Sequence, residues 1–277
     1  MMQPRSTAET CIAPRRFWFE LDWGELWHYR ELLLFLVWRD IKLRYKQTVM
    51  GVTWVILQPL LTTLVFTIFF GRLAHIPSGG VPYPLFYFAG LLPWLYFAGA
   101  VTAATNVMVQ HQHTITKVYF PRLLLPLSSV VSGLVDFGVS FLVLLGLAVY
   151  YGAHPGSLIL LPAALLLAVS CALAVGLWLA ALNAVYRDVR YAIPFALQFW
   201  MFASPVAYPS WLVPARWRWA YELNPMAVVI DGFRQALTGS AGPSAAAWAA
   251  AAGVVAIILS GGLMYFQHME DIFADVI

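Results

Sequence analysis

Four basic residues, Arg39, Lys42, Arg44 and Lys46, fall within eight positions, and then charge stops: from Gly51 to Gly71 no side chain ionises. Such a cluster binds anions such as lipid headgroups, or it holds one end of a chain on one side of a membrane. Asp136 is the one clear ionisable group inside a long apolar run. A carboxylate there either carries a proton or pairs with a neighbouring helix near a wet boundary. His111 and His113 are two apart, whereas metal ligands sharing a helix face stand three or four apart, and no carboxylate lies nearby to complete a site. Asp188, Glu222 and Asp231 are each isolated among aromatic or basic neighbours, so the paired carboxylates of a membrane transferase are not in evidence. There is no GxxxxGK[ST] phosphate loop; if nucleotide powers this chain, another subunit binds it.

These residues must be positioned by an unusually apolar chain. Of 277 residues, 61% are hydrophobic and 10% charged, where soluble domains carry about 25% charged residues. Mean hydropathy is +0.75. The composition predicts an all-α integral membrane protein, because hydrocarbon offers backbone groups no hydrogen-bond partner outside a helix. Six apolar runs, at about 52–70, 85–104, 127–151, 158–182, 191–208 and 245–266, each approach the ~20 residues that cross a bilayer. The fifth holds Pro194, Pro205 and Pro209, so it either bends or enters and leaves on one side. Residues 1–24 and 267–277 form tails on either side of this 48–266 membrane region.

Charge sets the expected orientation. Arg5, Arg15, Arg16, Arg30, Arg39, Lys42, Arg44 and Lys46 precede the first run, and Lys117, Arg122, Arg187 and Arg190 follow on the same side. The other side holds Arg72, Arg216, Arg218 and Arg234. Twelve against four places both termini in the cytoplasm. No secretory signal is visible in the first thirty residues. Cys11 and Cys171 suggest neither a disulfide nor a metal site.

At 100° per residue, Arg39, Lys42 and Lys46 share one arc opposite Leu33, Val37, Ile41 and Tyr45. Residues 25–47 are therefore expected as an amphipathic helix lying along the inner membrane surface; plain basic flanking without a helix is the alternative. The connection 111–126 carries Thr116, Lys117, Val118, Tyr119, Phe120, Pro121 and Arg122, either a compact knob for a partner's groove or a loop with its aromatics at headgroup level. Residues 209–244 are too apolar for a free loop and too interrupted to span. Asn224-Pro225 reads as a turn into a short helix, Met226 to Leu237, with Gly239 as its cap. The stretch is expected to re-enter the outer half of the membrane as a gate presenting Tyr208, Trp211, Trp217, Trp219, Tyr221, Asn224 and Pro225.

Aromatic residues make up 16% of the chain. Trp54, Phe66, Phe69, Tyr87, Trp94, Tyr96, Phe97, Phe199 and Trp200 recur within the apolar runs and are candidates to line a channel, since aromatic faces stack on sugar rings. Helix packing and lipid contact are the competing uses of the same residues.

The order of motifs resembles a known family. WRDIKLRYKQTVMGVTWVILQPLL (38–61), PYPLFYFAGLLPWLYF (82–97), ITKVYFPRLLLPLSSVVSGLVDF (115–137), YRDVRYAIPFALQFWMFASPVAYP (186–209) and LNPMAVVIDGFRQALTG (223–239) look like the permease subunit of a type-2 ABC exporter for lipid-linked polysaccharide. The branch resembled is the O-antigen one, with capsule and teichoic-acid permeases as relatives. The resemblance implies two copies forming the pore and two separate ATP-binding cassette subunits below, holding ATP and Mg, with no cofactor in this chain and no nucleic-acid partner. It makes 25–47 an interface helix, 111–122 a coupling helix seated on the ATPase, and 209–237 outer gate helices. The substrate implied is a glycan on undecaprenyl pyrophosphate, exported across a bacterial inner membrane. On that reading Arg39, Lys42, Arg44 and Lys46 also recruit the anionic carrier, and replacing Lys42 and Arg44 with Gln weakens export but not insertion. A permease for a drug or small lipid on the same frame, and a gradient-driven flippase using Asp136, are the alternatives.

Overall fold

The computed structural model describes residues 23–46 and 51–276; the expected tail through residue 22, Cys11 and the link 47–50 lie outside them. The described chain is helical, with no strand among the described residues. The helices are α1 (Trp23–His28), α2 (Arg30–Lys46), α3 (Gly51–Phe66, continuing as π-helix through Leu73), α4 (Tyr83–Gln110), α5 (Gln112–Ile115), α6 (Leu124–Tyr150), α7 (Leu160–Val185), α8 (Val189–Phe202), α9 (Arg218–Glu222), α10 (Pro225–Thr238) and α11 (Ala245–Val276).

Five stretches are long and apolar enough to cross a membrane: Thr53–Leu73, Tyr83–Gln110, Leu124–Tyr150, Leu160–Val185 and Ala245–Glu270. They correspond to five of the six expected runs. The remaining run, 191–208, differs. Its helix α8 has 14 residues, about 21 Å at 1.5 Å per residue, short of the ~30 Å hydrocarbon core. The helix ends at Phe202, ahead of Pro205 and Pro209, and the chain continues through turns.

The central helix is α4: 78% of its most apolar stretch is buried inside the chain, against 17% for α3. Two apolar cores flank its length. The larger joins α4 to α6, α7, α8, α10 and α11 through residues such as Leu85, Phe97, Ala168, Ile193, Phe233 and Ala251. The smaller gathers Leu36, Met108, Ile115, Phe120, Leu124, Leu177 and Phe266 at the end of the bundle bearing the basic run. There α2, the 111–122 connection, the end of α7 and the far part of α11 meet. α7 thus finishes at the basic end, while α11 starts beside α10 at the opposite one, where Trp248 lies within reach of Gly232. The segment 186–244 must therefore carry the chain from one end of the bundle to the other.

Prolines inside helices have local remedies. Pro59 in α3 lacks the N–H that would meet the Val55 carbonyl. Ser140 of α6 donates its hydroxyl to that carbonyl at 3.1 Å instead. Helix α10 runs Pro225–Thr238, with Asn224 as N-cap and Gly239 as C-cap at φ +66°, a left-handed conformation that costs glycine no Cβ clash. The expected short helix is thus present, one residue longer at each end.

Where a helix was expected over 25–47, the chain forms α1 and α2. The chain breaks at Tyr29, and α2 packs lengthwise against the start of α6. Leu36 joins the smaller core, Ser128 donates to Asp40 at 3.4 Å, and Arg44 and Tyr45 reach Asp136. The exposed face carries Lys42 and Lys46 but also Leu34, Phe35 and Trp38. Cations and apolar groups therefore share one face, and the polar Asp40 lies on the packed one. The cause is α6, which supplies hydroxyl and carboxylate partners that a bare membrane surface lacks.

Candidate functional site

At the basic end the four cations separate into two pairs by environment. Arg39 is bonded to Asp40 at 2.8 Å. Arg44 and Tyr45 both donate to Asp136, one to each carboxylate oxygen. Lys42 and Lys46 are exposed. Burial, then the hydrogen bond to Asp136, pushes the Tyr45 hydroxyl up to about 12, so it stays a neutral donor at physiological pH. The expected four-residue cationic patch is thereby reduced to Lys42 and Lys46. Arg39 and Arg44 are occupied by carboxylates that helical periodicity alone did not assign to them. Asp136 takes the pairing role, clasping α2 to α6.

The 111–122 connection is a short protrusion on a buried base. Thr116, Lys117, Val118 and Tyr119 are exposed, whereas Ile115, Phe120 and Pro121 are buried. The Arg122 guanidinium donates to the Glu270 carbonyl of α11, and its backbone N–H donates to the Glu270 carboxylate at 3.3 Å. The expected aromatic pair therefore splits: Tyr119 points out, 80% exposed, and Phe120 anchors in the smaller core at 6%. Phe120, Pro121 and Arg122 form the base, because adjacent side chains in a tight turn cannot share one direction. His111 places Nδ1 2.9 Å from the Val107 carbonyl of its own turn.

The candidate channel aromatics also divide. Tyr87, Trp94 and Phe97 lie in the interior of the chain, because α4 is central and packs on every side. Tyr96 is buried and donates to the Val130 carbonyl at 3.2 Å. Phe66 packs edge-on to Tyr87, and Trp200 to Phe97, at centroid distances of 6.0 and 5.0 Å. Trp54, Phe69 and Phe199 face outward. Phe199 belongs to an exposed stripe on α8 with Tyr191, Phe195 and Phe202, at roughly one-turn spacing.

At the opposite end, Asn224 ties three segments together. Its carbonyl oxygen accepts from the Met226 N–H at 3.1 Å and from the Trp200 indole at 3.0 Å, while its amide donates to Ser204 at 3.0 Å. Tyr208 donates to the Phe202 carbonyl at 3.0 Å. Trp211, Trp217 and Trp219 are exposed, Tyr208 and Tyr221 half-buried, and Pro225 buried at the start of α10. Trp200, Trp217, Tyr221 and Asn224 border a cavity of about 500 Å³ that reaches Val254 and Ile258 of α11.

Arg234 was not among the candidates from sequence, yet it organises this end. It is 4% exposed and donates to the carbonyls of Val206 at 2.9 Å, Phe86 at 3.3 Å and Tyr208 at 3.4 Å. Its guanidinium stacks 3.7 Å from the Phe86 ring centroid and lies 3.7 Å from the Asp231 carboxylate. A Cβ on Gly90 would stand 2.6 Å from its Nη2, so glycine there is what lets the arginine in. Irregular backbone at membrane depth persists only where its polar groups find partners, and Arg234 supplies them for the carbonyls of Val206 and Tyr208. The available signal was the charge pair Asp231 and Arg234, three apart, within an otherwise uncharged helix.

A cavity of about 590 Å³ lies among α2, α3, α4 and α6. Gln58, Thr102, Asn106, Gln110, Asp136 and Tyr96 are among its lining residues. A second hollow, of about 360 Å³, shares Arg44, Ala103, Gln110 and Ser129 with it and reaches Asp40 and His111.

With a described chain built of helices, five of them able to cross a bilayer, an exposed aromatic stripe on α8 and a clasped cationic helix at one end, the chain belongs to the class of multi-pass membrane transport proteins. Residues 31–238 match the ABC-2 type transporter family, and the chain is a member of it. It is 33% identical over 259 residues to the O-antigen export system permease protein RfbA of Myxococcus xanthus, covering 91% of this chain and 98% of that protein. A protein of the same name from Klebsiella pneumoniae is 27% identical across 74% of this chain and 79% of its own length. The polysialic acid transport protein KpsM of Escherichia coli is 24% identical across 72% of this chain and 78% of its own length.

Proposed function

We propose that this chain is the membrane subunit of an ATP-driven exporter that moves a lipid-linked cell-surface polysaccharide, of O-antigen type, out of the bacterial cytoplasm. The observation that carries this reading is the likeness to O-antigen export permeases along 91% of the chain. Two copies form the translocation path, and two ATP-binding cassette subunits, holding ATP and Mg, drive it; this chain performs no catalysis itself. The chain sits in the inner membrane with both termini cytoplasmic, consistent with the even number of crossings that brings Leu36 and Phe266 into one core. The sixth crossing consists of α8 and the irregular residues 203–209 held by Arg234 and Asn224. Residues 209–224 and α10 act as the outer gate.

The exposed Thr116–Tyr119 protrusion is the contact for the ATPase. Its base shares a core with Leu36 of α2 and Phe266 of α11, so a push on Tyr119 is delivered to both helices rather than absorbed in a loop. Phe199 and its neighbours on α8, with Trp54 and Phe69 on α3, line the glycan path, where aromatic faces offer sugar rings weak, sliding contacts. Lys42 and Lys46 meet anionic headgroups, the undecaprenyl pyrophosphate among them.

The test is purification of the tagged native protein in mild detergent. A P-loop ATPase arriving at equal stoichiometry, stimulated by lipid-linked glycan, is the expected result. A stable chain without any ATPase defeats the reading. Stimulation by small lipids or drugs but not by glycan favours the alternative of a small-molecule permease.

A further inference from the structure

The 590 Å³ cavity lies in the size range of ligand sites, about 300–1,000 Å³, and its polar wall has a particular chemistry. Thr102, Asn106 and Gln110 stand four apart on α4 and form one stripe about 12 Å long. The Thr102 hydroxyl already donates to the Ala98 carbonyl at 2.7 Å, and the Asn106 amide donates to the Thr102 carbonyl at 2.8 Å. Ser129, across the groove, donates to Leu125 at 3.1 Å. These bonds engage one donor each on Thr102, Asn106 and Ser129 and leave their oxygen lone pairs and the second Asn106 N–H to a ligand. Gln58 and Gln110 add amides. Arg44, the one cation in the lining, is matched by Asp136. A wall of neutral amides and hydroxyls, offering both donors and acceptors and no surplus positive charge, suits sugar hydroxyls, which also donate and accept, better than phosphates, which favour cationic partners. Towards Leu92, Leu95 and Phe137 the lining turns apolar, with Tyr96 between the two parts.

Building on the polysaccharide reading, we propose that this groove within each copy of the chain holds neutral, hydroxyl-bearing sugar units of the exported glycan. The hydroxyls donate to the Thr102–Asn106–Gln110 stripe, and the lipid-proximal part lies along Leu92 and Leu95. This contact is separate from the aromatic face of α8.

The test uses the full chain in cells that export their surface glycan, with its partner subunits present. A benzophenone amino acid replaces Thr102 or, in a second variant, Gln110; Phe199 reports on the α8 face and Leu142, exposed at 69%, on lipid. After irradiation the protein is purified and stained for glycan by periodate and hydrazide. Glycan-bearing adducts at 102 or 110, absent at 142 and lost in cells that cannot make the glycan, are expected. Adducts at 199 alone overturn the groove and leave the exporter reading standing. Phospholipid adducts without glycan at 102 and 110 make it a lipid groove and also overturn it. No glycan at 102, 110 or 199 defeats both readings.

Discussion

Replacing Arg234 with Met keeps an unbranched stem, two atoms shorter than arginine, and removes the charge and all the donors. Three backbone carbonyls lose a donor, two of them in the irregular segment at Val206 and Tyr208, and Asp231 loses its neighbour at 3.7 Å. Breaking a buried ion pair by deleting one partner costs about 3–5 kcal/mol, and each buried carbonyl left unsatisfied costs about 1–3 kcal/mol. These contributions overlap, since the same guanidinium serves them all, so a loss of about 4 kcal/mol is expected. Adding Asp231→Leu removes the stranded carboxylate and is expected to recover about half, the unsatisfied carbonyls accounting for the rest. Cys171 provides the assay. It is 1% exposed, and the chain has two cysteines in all, so with Cys11→Ser in the background a thiol-reactive dye reports opening of the bundle. Denaturant titration in mixed micelles then compares the parent, Arg234→Met and the double variant. A single variant within about 1 kcal/mol of the parent, or a double variant no better than the single, refutes the view that Arg234 holds the 203–209 segment through charge and donor contacts.

Other expectations follow from the same contacts. Asp136→Asn is expected to loosen the α2–α6 clasp by about 1 kcal/mol, a modest figure because both partners are partly solvated, and Arg44→Gln added to it should restore normal export; export lost in the double variant despite normal folding assigns Asp136 a transport role of its own. Tyr119→Ala should leave stability within about 0.5 kcal/mol yet abolish glycan-stimulated ATPase activity of the purified complex, whereas Phe120→Ala should cost about 3–5 kcal/mol in the thiol assay by emptying the smaller core. Ser140→Ala strands the Val55 carbonyl beside Pro59 and should cost about 1–3 kcal/mol, with no such loss in a chain that also carries Pro59→Ala.

Much of the architecture was legible in the linear chain, because the membrane imposes simple rules. Long apolar runs located the five helices able to cross a bilayer, since a backbone in hydrocarbon has few options besides a helix of about 20 residues. Asn224-Pro225 and Gly239 marked both ends of α10 because capping is a local matter of a few dihedral angles. The basic run before Gly51 marked one end of the bundle. What the chain alone did not determine was which groups meet across helices. Arg44 and Asp136 are 92 residues apart, and only the packing of α2 along α6 turns two isolated charges into a clasp. Periodicity placed Arg39, Lys42 and Lys46 together, but it carries no information on the neighbouring helix α6, whose Ser128 donates to Asp40 and whose Asp136 accepts from Arg44. Tyr87, Trp94 and Phe97 were indistinguishable from Phe199 by type and hydropathy; the central position of α4 buries the first three and the peripheral position of α8 exposes the last. Arg234 looked like one more charge in an outer connection until tertiary structure brought the carbonyls of residues 86, 206 and 208 to it. Local rules act within a turn or two of chain, whereas these contacts depend on where whole helices lie, and that is decided by the sum of the packing.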